Sequence, residues 1–262
     1  MKKLVHFVRW EVIPQQEWEN VFSQLPGWGV TETVANPIWG KLEREKPGTL
    51  ALIQKWCGNY HIALPGAHAF WGKGNDLGCD DLSRRNDMLN EHKTFLGQLS
   101  ELGVKTYTLH LGLSGKSDQW DHVKRSVEAL LDTASKNNIV LALENGSESE
   151  EELEKLIALA DEFDHPNVGY CFDTGHANCY AGRDVEKLLA MMAKRIAVLH
   201  LHDNYGSFDD HNPPGGGTVN WETLVPKLHA LPRLINPETE SGDWSQDSWN
   251  AFVKMWNLPF NR

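Results

Sequence analysis

Eight short apolar runs, each followed by a stretch long enough for an amphipathic helix, leave this chain few folds to choose from. The strand-like runs are residues 4–8, 29–34, 60–67, 104–111, 139–144, 168–173, 197–202 and 234–238. Helical spacing is predicted over 15–24, 50–56, 84–102, 119–136, 150–163, 185–193 and 221–228, with a last helix over 245–256. Within 119–136, Val123, Val127, Leu130, Leu131 and Ala134 recur at the three-and-four spacing that gives a helix one apolar face. Asp184 stands where it can cap the helix that follows, and Ser149 precedes the acidic residues Glu150, Glu151 and Glu152, which suit a helix N-terminus. Such β-then-α units predict an α/β chain, residues 1–262, folded as one (β/α)8 TIM barrel. A doubly wound open sheet is the alternative, but no glycine-rich phosphate loop follows the first strand.

The barrel places chemistry at the C-terminal ends of its strands, and polar residues do gather there. His68 follows the third run in GAHAFW, His110 ends the fourth, and Glu144 ends the fifth in VLALEN. Asp173 ends the sixth in GYCFDTGHAN, with His176 three residues on, and Glu238 ends the eighth in LINPETE. The densest stretch is 196–217, where His200, His202, Asp203, Asp209, Asp210 and His211 fall within twelve residues. Alternation along a strand turns His200 and His202 to one face and the intervening Leu201 to the other. A buried carboxylate is costly unless paired or metal-bound, so this concentration implies a cation site. Mixed imidazole and carboxylate donors suit Zn²⁺ or Mn²⁺, with Co²⁺, Fe²⁺ or Mg²⁺ compatible, one to three ions per chain. His61 competes with His68 but sits nearer the start of its run. Glu240 competes with Glu238, which lies nearer the apolar LIN run and is preferred.

Composition narrows the function classes. A net charge of −11 disfavours passive binding to nucleic acid or an anionic membrane. No apolar run approaches bilayer-spanning length. The N-terminal MKKLVHFVRW is broken by Arg9 and Glu11 and reads as a first strand rather than a signal peptide. Cys57, Cys79, Cys171 and Cys179 show no CxxC spacing, as expected of reduced thiols in a cytoplasmic protein, and a homo-oligomer is compatible with all of this.

These motifs (HAFW with NDL shortly after, LHLG, LALEN, CFDTGHAN, HLHDN, DDH followed by PPGGG, and PETE) resemble the xylose isomerase-like barrel superfamily over roughly residues 60 to 240. That group unites sugar isomerases and epimerases with endonuclease IV-type AP endonucleases. The resemblance implies His68, His110, Glu144, Asp173, His176, His200, Asp209, His211 and Glu238 as metal ligands, the set of its three-metal nucleases. The isomerases typically use the smaller core matching Glu144, Asp173, His200 and Glu238, with the two glutamates as acid and base. The expected function is therefore a divalent-metal-dependent isomerase or epimerase acting on a sugar, sugar phosphate or sugar acid through an enediolate. Trp71, Asn145 and His202 are the expected substrate contacts, and Asn178 is expected to cap a helix. The alternative is multi-zinc phosphodiester hydrolysis at abasic DNA. The nine-ligand set favours it, whereas the negative charge and the scarcity of Lys and Arg in WEVIP and NPIWGK do not. The motif HDNYG lacks the arginine that ketose 3-epimerases carry after this histidine, which points away from that specificity.

Overall fold

The computed structural model describes residues 2–72, 74–112, 119–146, 150–179 and 184–258. Its eight strands are β1 (Val5–His6), β2 (Glu32–Ala35), β3 (Ala63–His68), β4 (Thr106–Leu109), β5 (Val140–Glu144), β6 (Val168–Asp173), β7 (Ile196–Leu201) and β8 (Asn236–Thr239). They pair in parallel, in chain order, and β8 returns to β1 to close the barrel. Around them lie α1 (Trp18–Gln24), α2 (Pro37–Glu45), α3 (Thr49–Tyr60), α4 (Leu82–Glu101), α5 (Gln119–Lys136), α6 (Glu150–Phe163), α7 (Thr174–Cys179), α8 (Val185–Met192), α9 (Trp221–His229) and α10 (Gln246–Trp256).

The period-two alternation of the strands sorts side chains between two environments. Leu141, Leu143, Tyr170, Phe172, Leu199 and Leu201 are buried in the main apolar cluster with the helices. Ala142, Cys171 and Val198 belong to a smaller cluster of their own, and Val5, Phe7 and Val34 form another. Glu144, Asp173 and His200 each come two residues after a member of the first small cluster, so they share its inward face.

The expected β6, α5 and α6 match their predicted bounds, and Asp184 caps α8 by accepting hydrogen bonds from the Glu186 and Lys187 N–H groups. Ser149 lies outside the described residues. Two helices went unpredicted. One is α2, started by Asn36, whose side chain accepts from the Ile38 N–H, with Pro37 in the first turn, where its missing donor costs nothing. The other is α7, which begins directly at the end of β6 and places the DTGHAN motif on a helix. The predicted start of β3 at residue 60 moves to Ala63, because α3 runs through Tyr60 and His61 takes a left-handed conformation to end it. His61 is thus an exposed helix terminus, and the strand-end position belongs to His68.

Candidate metal centre

Register brings the inward residues of β6 to β8 to one level, while Glu144 at the end of β5 pairs with Cys171. Asp173 pairs with His200 and His200 with Glu238 across neighbouring strands. Just above them, three carboxylates meet one imidazole nitrogen. His200 Nδ1 is 2.9 Å from Glu144 Oε1, 2.6 Å from Glu240 Oε2 and 3.7 Å from Asp173 Oδ2. On one side, His68 and His110 approach each other through their Nε2 atoms at 3.2 Å, and His110 Nε2 lies 2.8 Å from Glu144 Oε2. On the other, Asp209 Oδ2 is 3.2 Å from His176 Nε2 and 2.9 Å from His211 Nε2.

Three of these imidazoles have fixed tautomers. His68 Nδ1 lies 2.9 Å from the Ala69 carbonyl, His176 Nδ1 2.9 Å from the Asn145 carbonyl, and His211 Nδ1 3.1 Å from the Glu240 carbonyl. A carbonyl only accepts, so each ring keeps a proton on Nδ1, and Nε2 is the nitrogen that faces the cluster and becomes a metal donor once it gives up any proton it carries. That is the arrangement metal-ligating histidines ordinarily show.

The electrostatics point the same way. Burial pushes the Glu144 carboxyl up, but His110 and His200 outweigh it and hold it well below the usual range. Asp173 is treated likewise by His176 and His202. Glu240, although buried, is held down to about 2 by His200. The reciprocal effect lifts His211, against its burial, to about 9 through Asp209. His68 goes the other way, lowered to about 4 by burial and by neighbouring His110. With no cation present, imidazoles must supply the positive charge that the buried carboxylates require. Glu144 Oε2 and Glu240 Oε2 still complete no hydrogen bond. The donor set therefore fits a divalent cation, whose arrival would displace protons from the rings.

A cavity of about 420 Å³ opens above the cluster, and Phe7, Trp71, His68, His110, Asp209 and Glu240 stand in its wall. Trp71 was expected here; it is 40% exposed and meets the His68 ring edge-on at 4.8 Å. Three expectations change. Glu240, not Glu238, reaches the cavity; Glu238 is fully buried one residue pair deeper, beside His200 Nε2 at 3.4 Å. Asn145 does not line the cavity, because its side chain is closed on the Asp173 backbone, donating to the carbonyl at 3.1 Å and accepting from the N–H at 2.9 Å. His202 also stands behind the wall, its Nε2 3.0 Å from Asp173 Oδ1 and its ring stacked 4.0 Å from that of His211. Gly175 makes room for it, since a Cβ there would lie 1.8 Å from His202 Cε1. Asn178 Nδ2 donates to Asn204 Oδ1 and Thr218 Oγ1, tying the two together. Asp203 accepts from Gly215 N, Val219 N and Trp221 Nε1, which clamps the PPGGG loop under Asp209 and His211.

Arg9 and Glu11, unassigned from sequence, also line the cavity, joined at 3.0 Å, with Glu11 anchored by Asn36 Nδ2. The rule that located the other residues, position just beyond a strand, applies to Arg9 as well, but an arginine is no metal ligand and gave no signal in a search for one.

Sequence and structure comparisons agree with this picture. The xylose isomerase-like TIM barrel family matches residues 30–252. Probable endonuclease 4 of Mycoplasmopsis pulmonis (strain UAB CTIP) is 28% identical over 169 residues, 55% of this chain and 61% of that relative's length. Among solved structures, 3-keto-D-glucoside 4-epimerase from E. coli superposes with a TM-score of 0.78 at 17% identity, covering 97% of this chain and 99% of that one. A Thermus thermophilus protein soaked with ZnCl2 gives a TM-score of 0.77 at 20% identity, covering 100% of both chains. Likeness at these identities speaks for the fold alone. No helix among the described residues is long and apolar enough to cross a membrane.

Proposed function

The chain belongs to the xylose isomerase-like TIM barrel family, and from that premise we propose that it is a divalent-metal-dependent isomerase or epimerase acting on a sugar, sugar phosphate or sugar acid. The observation that carries this reading is the convergence of Glu144, Asp173 and Glu240 on His200 Nδ1 beneath a cavity of about 420 Å³. That volume lies within the range of small-molecule sites. Glu144, Asp173, His200 and Glu240 would hold the ion, and when bound it would polarise adjacent carbonyl and hydroxyl oxygens of the substrate.

Proton movement falls to the two glutamates. Glu144 and Glu240 both approach His200 Nδ1, one from β5 and one from the end of β8, and a substrate held there would have two carboxylates about its reacting carbon. One removes the proton next to the carbonyl to give an enediolate, and the other returns a proton to the neighbouring atom or the opposite face. His110 and His200 keep Glu144 ionised, the form that accepts a proton. His110, at the cavity wall and 2.8 Å from Glu144, is placed to exchange that proton with substrate oxygen or solvent. Trp71 offers an aromatic face to the apolar side of a sugar ring. The four free cysteines fit a reducing, cytoplasmic setting.

The flanking groups His68–His110 and His176–Asp209–His211 favour a second reading, multi-metal phosphodiester hydrolysis at abasic DNA. Against it, Arg9 is the one Lys or Arg among the described cavity-lining residues, and Glu11, Asp209, Asp210 and Glu240 share the wall with it.

The test is deuterium wash-in. Metal-loaded protein is incubated in D₂O with a panel of aldoses, ketoses, sugar acids and their phosphates, and exchange at the carbon beside the carbonyl is followed by NMR. Exchange that disappears in Glu144→Gln, with the circular dichroism unchanged, supports the proposal. Cleavage of an abasic duplex with no exchange on any sugar would replace it with the second reading.

A further inference from the structure

One buried carboxylate takes no part in the chemistry above. Glu238 lies inside the barrel, 0% exposed, and neither of its oxygens completes a hydrogen bond. His200 Nε2, also buried, completes none either, and the two unsatisfied groups face each other at 3.4 Å. Nearby, Asn236 Nδ2 donates one of its two hydrogens to Thr106 Oγ1 at 2.6 Å, and the buried Cys171 thiol lies beside the His200 ring. The backbone makes space for this carboxylate: a Cβ on Gly66 of β3 would stand 2.2 Å from Glu238 Oε1. A buried carboxylate with its own cradle, aimed at a ring nitrogen that lacks a partner, is expensive unless the pair is used.

Comparison with three other imidazoles of the cluster suggests the use. His68, His176 and His211 each have one nitrogen fixed by a backbone carbonyl and the other directed into the cluster. His200 is reversed, with Nδ1 in the cluster and Nε2 pointing away from it. We propose that Glu238 is the positioning residue for His200, accepting the Nε2–H and thereby fixing the tautomer and aim of the ring that offers Nδ1 to the metal. The chemistry is compulsory once Nδ1 is a ligand: its lone pair is used, so the ring proton must sit on Nε2, where Glu238 Oε2 receives it. The inference rests on the reading of His200 as a ligand.

Cobalt binding tests it on the intact protein. Co²⁺ affinity is measured by chelator competition for the wild type, Glu238→Gln, Glu238→Ala and His200→Ala, alongside the visible Co²⁺ spectrum and the thermal midpoint of each metal-free form. Loss of such a partner weakens metal binding by roughly 10- to 100-fold, so Glu238→Ala is expected to fall in that range and Glu238→Gln near its lower end. Both are expected to retain stoichiometric binding and the wild-type band pattern at saturation. In ¹⁵N-histidine-labelled, Zn²⁺-loaded protein, one Nε2–H resonance is expected downfield in the wild type and moved upfield in Glu238→Gln, a change that a merely space-filling role would not produce. Wild-type affinity and an unmoved resonance in both Glu238 variants would overturn the inference while leaving the metal centre intact. Loss of binding as complete as in His200→Ala, with an altered spectrum, would overturn it by making Glu238 a direct ligand. If wild type and His200→Ala alike bind no Co²⁺, the proposed function fails and this inference fails with it.

Discussion

Beside β1 and β2 the molecule is packed with indoles; above β5 to β8 it is packed with imidazoles and carboxylates. Trp10 stacks on Phe22 at 4.7 Å, meets Trp39 at 5.4 Å and Trp18 at 5.9 Å, and all four are buried. That cluster is held chiefly by removing apolar surface from water, a gain that outweighs the unpaired indole N–H groups of Trp10 and Trp39. The mouth is the reverse. Glu144, Asp173 and Glu240 crowd one nitrogen, and their charge is balanced only when rings take up protons or a cation arrives. Stability and chemistry therefore reside in different parts of one barrel, and each part should respond to changes that leave the other untouched.

The largest effect expected is on the aromatic side. Trp39→Ala should cost about 3–5 kcal/mol of unfolding free energy, as large-to-small core changes do, with Co²⁺ affinity of the folded protein unchanged. Urea denaturation together with chelator competition checks both halves, and a metal affinity that fell in step with stability would break the separation.

pH should act with opposite sign on histidines buried without a carboxylate and on histidines paired with one. Burial lowers the His92 imidazole to about 4 against an ordinary 6.5. The unfolded chain then binds a proton that the folded one refuses, so stability is lost as pH falls from 6.5 toward 4, by up to about 3 kcal/mol. His211 is raised to about 9, against its burial, by Asp209. In the metal-free protein it contributes stability that is full below 6.5 and lost as pH rises through 9. Thermal midpoints from pH 4 to 10 should show both flanks, the acid one reduced in His92→Gln, with His6 and His68 supplying the rest, and the alkaline one reduced in His211→Gln.

Metal should act on the mouth alone. Free Zn²⁺ at 100 times its dissociation constant should stabilise the wild type by about 2.7 kcal/mol, and Asp173→Asn should abolish most of that gain. Because His176 and His202 hold Asp173 ionised without metal, its metal-free midpoint should fall as well. The smallest effect belongs to the rim: Trp71→Ala, removing a half-exposed indole, should raise KM by roughly tenfold (about 1.4 kcal/mol, near the upper end for an aromatic contact) and leave kcat alone.

How far the sequence could be read follows from the same division. Periodicity located β6, α5 and α6 at their observed bounds because their apolar positions repeat without interruption. It passed over α2, although Asn36 followed by Pro37 is a helix start and Ile38 and Leu42 fall on one face. Position at a strand end located His68, His110, Glu144, Asp173, His176 and His200, which the structure brings together around one centre. It preferred Glu238 to Glu240, and the structure brings Glu240 to the cavity. Two residues apart, they face the same way, and only the height of β8 against β7, where Glu238 pairs with His200, decides which reaches the cavity. Nor could it distinguish a polar side chain that faces the cavity from one spent on the backbone behind it, as Asn145 is on Asp173.

The most direct measurement is anomalous diffraction from crystals grown with Mn²⁺ or Zn²⁺, recorded at the metal's absorption edge. The expected result is a peak bonded to Glu144, Asp173, His200 Nδ1 and Glu240, with Glu238 on the far side of the His200 ring. A peak bonded to Glu238 in place of Glu240, or no peak in crystals of metal-saturated protein, would contradict the account.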